Sequence, residues 1–80
     1  MAKHWKLVLA CELDFYVALN PHVRVLLVDD TEAVITGVGR DGSHFTSPKV
    51  VVGLAGHAVP LLYDDTDEVL LCADSPIREP

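Results

Sequence analysis

Eighty residues, half of them apolar, allow one small domain with a core and argue against disorder. Twelve acidic against six basic residues leave a formal charge of −6, which repels phosphate backbones and disfavours direct binding of DNA or RNA. Such a field attracts basic protein surfaces, or serves solubility alone.

The start, Met1-Ala-Lys-His-Trp-Lys-Leu-Val-Leu-Ala-Cys11, holds only Leu7 to Ala10 as an apolar run before Cys11, too short for a lipoprotein signal. No run approaches a membrane span, so a soluble cytoplasmic protein with no membrane partner is expected. Leu7 to Asn20 is ambiguous. Leu9, Leu13 and Val17 recur at helical spacing and Asn20-Pro21 would stop a helix, while alternation over Lys6 to Glu12 suits a strand. A helix is favoured.

Val23 to Val28 then reads as a strand, Asp29-Asp30-Thr31 as a turn, and Ala33 to Val38 as the returning strand. Gly37, Gly39 and Gly42 loosen the chain, with a second turn at Arg40-Asp-Gly-Ser43. His44 to Thr46 and Lys49 to Leu54 follow, with Pro48 marking an edge, a strand start or a break. After a turn at Ala55-Gly56-His57 come strands over Val59 to Tyr63 and Glu68 to Ala73. Residues 1–74 thus form one β-rich domain, and 75–80 a short tail expected to fray. Val23, Val25 and Leu27 alternate with Leu26 and Val28, so both strand faces are apolar and need cover, from barrel closure plus a helix or from a second subunit. A homodimer stays open.

One segment is repeated. His22 to Ile35 returns ungapped 35 residues later as His57 to Leu70, with seven of fourteen positions identical, including Leu-Leu-x-Asp-Asp-Thr. Each copy is an apolar run, an acidic turn and a second apolar run. Asp29, Asp30 and Glu32 form one acidic tip; Asp64, Asp65, Asp67 and Glu68 form the denser other. Alternating strand directions in a small barrel would place the tips at opposite ends, with the second tip favoured as the functional one.

Catalytic and metal motifs are weak. Gly37-Val-Gly-Arg-Asp-Gly42 matches G-x-G-x-x-G, but Ser43-His-Phe-Thr-Ser-Pro48 cannot open the helix that a dinucleotide site requires. The Asp64–Glu68 cluster lacks the ligand spacing and glycine of a calcium loop. His4, His22, His44 and His57 show no paired spacing, and Cys11 and Cys72 follow no metal pattern and are expected as free thiols. No catalytic, cofactor or metal residues are assigned, and an enzyme is not expected.

The order of elements, with Val23 to Asp30, Ile35-Thr-Gly-Val38 and Asp67-Glu-Val-Leu-Leu-Cys-Ala-Asp-Ser-Pro-Ile77, resembles an Sm-like or SH3-like small barrel. Within that group, Leu9-Ala-Cys11, Val23 to Asp30, Val51-Val52 with Ala55-Gly56, Leu62 and Ser75-Pro76 resemble the Rho-binding antiterminator family. That resemblance implies a mainly β (α+β) fold, an N-terminal helix followed by a five-stranded antiparallel barrel. It also implies an acidic protein that binds a basic, RNA-binding termination factor and competes with its RNA. No individual binding residue is carried over; the family's acidic lead is here Lys3-His-Trp-Lys6. In size and charge the chain is also similar to small acidic phage inhibitors such as anti-CRISPR proteins. The expected function is a non-enzymatic inhibitor of a basic nucleic-acid-binding protein, acting through the acidic tips. The alternative is an Sm-like structural or RNA-binding oligomer, with RNA contacts from Arg24, Arg40 and Lys49.

Overall fold

The computed structural model describes residues 5–20, 22–43, 46–74 and 76–79, with backbone alone at 43 and 46–48. It is mainly β. The chain runs β1 (Lys6–Leu9), a 3-10 turn (Ala10–Glu12), α1 (Leu13–Leu19), β2 (Arg24–Leu26), β3 (Glu32–Ser43), β4 (Thr46–Leu54), β5 (Leu61–Asp64) and β6 (Glu68–Cys72). The six strands form one open antiparallel sheet in the order β1-β6-β2-β3-β4-β5. In place of the expected five strands there are six among the described residues, and their pairing does not include closure into a barrel.

The extra strand comes from the ambiguous segment. Lys6–Leu9 pairs with β6, Lys6 opposite Leu71 and Leu9 opposite Glu68, and only Leu13–Leu19 is α-helical. The alternating pattern and the helical spacing were both real, but they belong to successive halves of the segment. An unpaired edge of β6 offers a ladder to the first half, which outweighs its mild helix propensity. Leu13 and Tyr16 are buried on the inner side of α1, while Phe15 stays exposed. The core joins Val8, Leu13, Val25, Val50, Val52 and Leu71, which leaves Leu7, Leu26 and Leu70 on the other side of the strands.

β3 does not break at its glycines. Gly37, Gly39 and Arg40 pair with Gly53, Val51 and Val50, so the expected turn at Arg40–Ser43 is replaced by strand. The glycines mark irregular register instead, with a shift between Ile35 and Gly37 where a Cβ on Gly53 would stand 2.9 Å from Thr36 Oγ1. A second shift falls where Asp41 and Ser43 face Lys49 and Thr46, which places Pro48 in a bulge of β4. β4 is unpaired on its other side there, because β5 reaches only to Lys49. His44, Phe45, Pro21, Ser75 and the lead Met1 to His4 lie outside the described residues.

The described part of the tail, residues 76–79, is tied to the domain by hydrogen bonds and an ion pair. Asn20, 2 % exposed, ends α1 and grips residue 78 by both of its main-chain polar groups. Arg78 N–H donates to Asn20 Oδ1 at 2.8 Å, and Asn20 Nδ2 donates to Tyr16 O at 2.8 Å and to Arg78 O at 3.4 Å. A side-chain amide presents one acceptor and two donors, so it imitates a strand neighbour for a passing backbone. Ile77 packs on the core and Glu79 pairs with Lys6.

Candidate interaction groove

Antiparallel pairing of β2 with β6 decides where the repeated segments meet. Val25 faces Leu71 and Arg24 faces Cys72, so the end of β2 lies beside the start of β6. The first acidic turn follows β2 and the second precedes β6, which brings both to the same end. This corrects the expectation of opposite ends. Direction does not alternate through the whole chain, because β5 and β6 are joined by a tight turn without pairing to each other.

The two copies consequently face one groove. Leu26, Leu27 and Val28 form one wall, their equivalents Leu61, Leu62 and Tyr63 the other, and Leu7, Val69 and Leu70 complete the apolar lining of a cavity of about 500 Å³. Leu7 and Leu62 are 56 % and 61 % exposed, and Val28 is fully exposed. Exposed large aliphatic side chains gathered in one concavity mark an interaction surface more often than scattered ones do. The sequence signal was present: strands apolar on both faces needed a cover, and here no described element covers the groove side, where Leu7, Val28 and Leu62 stay exposed.

Equal sequence does not give equal turns. After β2, Leu27 N–H donates to Thr31 O at 2.8 Å and Asp30 N–H to Leu27 O at 3.0 Å, with Asp30 at φ 66°. That is a three-residue hairpin loop with an Asp in the left-handed position, which a short carboxylate side chain tolerates. After β5 the turn is displaced along the repeat, with Asp67 N–H donating to Asp64 O at 3.0 Å. The second turn is also tied to the 3-10 segment, through Ala10 N–H to Asp67 O at 2.8 Å and Cys11 N–H to Asp65 O at 3.1 Å.

Much of the charge of the denser second tip is engaged within the molecule. Asp64 pairs with Lys49, and Asp65 lies 3.7 Å from Arg40, which also donates to Cys11 O. Asp67 Oδ2 accepts from Asp64 N–H at 2.8 Å. Three of the four carboxylates of the second tip are thereby engaged inside the molecule, and Glu68 is the one left to the groove. At the first tip, Glu32 shares Arg24 with Asp74, at 3.4 and 2.9 Å. Asp30 is exposed, and Asp29 faces the groove. The Thr31 hydroxyl, 2.6 Å from Asp29 Oδ1, lowers the Asp29 pKa below the ordinary carboxylate value, helped by Thr31 N–H. Asp29 is therefore held firmly ionised at the rim. Among the described residues no lysine or arginine lines the groove. Tyr63 is shifted the other way: burial, then the charge of Asp67, raises its pKa, so it stays a neutral phenol.

The cations named for RNA contact, Arg24, Arg40 and Lys49, all sit against carboxylates. Cys72 is buried and Cys11 half-buried, both as free thiols. Among the described residues no group of three or more His, Cys, Asp or Glu could hold a metal ion, and no helix is long and apolar enough to cross a membrane. Gly37 and Gly42 both lie within β3, and the next described element is strand β4, so the glycine motif is a strand feature. Sequence reasoning missed two things: the apolar groove between the tips and the Asn20 clamp. The first had a signal in the repeated Leu-Leu pair, the second only a buried-position Asn beside a proline. No protein-family model matches this chain, and neither does any curated protein or solved structure.

Proposed function

We propose that this chain is a non-enzymatic inhibitor that binds a basic nucleic-acid-binding protein or complex in the cytoplasm and blocks its engagement with DNA or RNA. The observation that carries the reading is the convergence of both acidic segments on one end, around an apolar groove with no basic residue among the described residues of its lining. Apolar anchors supply affinity, while ionised rim groups steer a basic partner into place. Among the described residues Arg24, Arg40 and Lys49 each pair with a carboxylate, which, with the formal charge of −6, favours protein over nucleic acid as the partner. In fold, the order β6-β2-β3-β4-β5 with a tight β5–β6 turn supports an Sm-like barrel to which β1 is added beside β6. Antitermination-like or anti-CRISPR-like inhibition are the forms this activity takes.

The second reading, an Sm-like RNA-binding oligomer, draws on the outer edges of β1 and β5, which no described strand pairs. A displacement assay separates the two. Fluorescent RNA bound to a purified basic termination factor loses anisotropy as the chain is added if it is a competitor, and the chain alone leaves the RNA free. Retention of RNA by the chain at physiological salt, together with ring-sized elution on gel filtration, overturns the inhibitor reading.

A further inference from the structure

We infer that the groove is a docking site for an extended segment of the partner in which apolar side chains alternate with arginine or lysine. This rests on the partner-binding reading above and names the part of the partner that is held. Leu61, Leu62 and Tyr63 are consecutive, so a strand edge, and not one strand face alone, borders the groove. β5 pairs with β4 on one side and with no strand on the other among the described residues. An extended peptide added there gains main-chain hydrogen bonds and sends alternate side chains to opposite sides. One set would enter the Leu7, Leu26, Leu62 and Leu70 surface, and the other would reach the rim.

Charge selects among occupants. Among the described residues of the lining, Asp29 and Glu68 are the charged ones, both acidic. A second copy, with its own formal charge of −6, would set carboxylate against carboxylate. The described end of the chain is held at Asn20 and Lys6 and is not free to fill the groove. A basic, apolar strand meets both the wall and the rim.

The test uses the full chain and short fluorescein-labelled peptides: one alternating Arg and Leu, one alternating Arg and Gly, one alternating Glu and Leu. The Arg-Leu peptide is expected to bind about tenfold or more tightly than either comparator, the added leucines contributing buried area. Leu62→Asp and Leu7→Asp, at exposed positions that do not disturb the core, bring it down to the Arg-Gly level. Glu68→Gln with Asp29→Asn weakens both arginine peptides and flattens their salt dependence. Equal binding of Arg-Leu and Arg-Gly peptides overturns the groove inference while leaving an acidic, partner-binding end intact. No binding of either at low salt overturns both. Equal binding of Glu-Leu peptide, or a concentration-dependent dimer that Leu62→Asp abolishes, overturns the basic occupant in favour of a purely apolar one or a second copy.

Discussion

Replacing Asn20 by alanine removes the clamp that holds residues 76–79 to the end of α1. Two bonds at 2.8 Å and one at 3.4 Å are lost, to Tyr16 O, Arg78 N–H and Arg78 O. At about 1 kcal/mol net for each short bond in a buried setting, the loss is about 2 kcal/mol. For a domain of this size that lowers Tm by roughly 8–16 °C. Thermal unfolding followed by circular dichroism gives the magnitude, and hydrogen exchange at the Arg78 amide gives the site. Asn20→Asp keeps the acceptor for Arg78 N–H but loses the donor and sets a negative charge against two carbonyls, so it costs at least as much. Arg78→Ala keeps the main-chain bonds and is close to neutral. A change for Asn20→Ala below about 0.5 kcal/mol, or an Arg78 amide whose exchange does not quicken, refutes the reasoning.

Asp29 has a lowered folded pKa, so its contribution to stability is present above its unfolded value and is lost as pH falls through the folded one. Thr31→Val should move the Asp29 carboxyl back toward the ordinary range in an NMR titration and weaken that acid dependence. Tyr63 has a raised folded pKa, so its contribution is present below the ordinary tyrosine value and disappears as pH climbs through the folded one. Absorbance titration should show one late phenol, absent in Tyr63→Phe. Gly56 sits at φ 78° with open space around a would-be Cβ, so Gly56→Ala should cost about 1–2 kcal/mol from backbone strain alone, read by denaturant unfolding. Gly53→Val should cost more than Gly53→Ala, because the larger side chain cannot evade Thr36 Oγ1.

Local pattern made most strands legible, because alternating aliphatic runs between Asp- and Gly-bearing turns leave few other ways to bury them. Arg24–Leu26, Leu61–Asp64 and Glu68–Cys72 fall inside or beside the expected strands. What failed required knowledge of partners in space. Lys6–Leu9 becomes a strand because β6 has an edge to fill, and Arg40–Ser43 stays in β3 because β4 returns along it. The acidic residues were visible as a composition, but their engagement was not. Lys49 lies fifteen residues from Asp64, and only the β4–β5 register sets Lys49 opposite it. Likewise the repeat read as shared turn chemistry, while its structural consequence, two Leu-Leu pairs across one groove, depends on the β2–β6 pairing.

The end of the molecule where the two repeated segments meet is the surface proposed to receive a basic partner. Amide chemical-shift mapping of the isotopically labelled chain with an unlabelled basic termination factor tests it most directly. Shifts concentrated at Leu26–Asp29, Leu61–Tyr63 and Glu68–Leu70, fading as salt is raised, are the predicted result. Shifts centred on α1 or on the β3–β4 strands, or a spectrum unchanged at low salt, would contradict it.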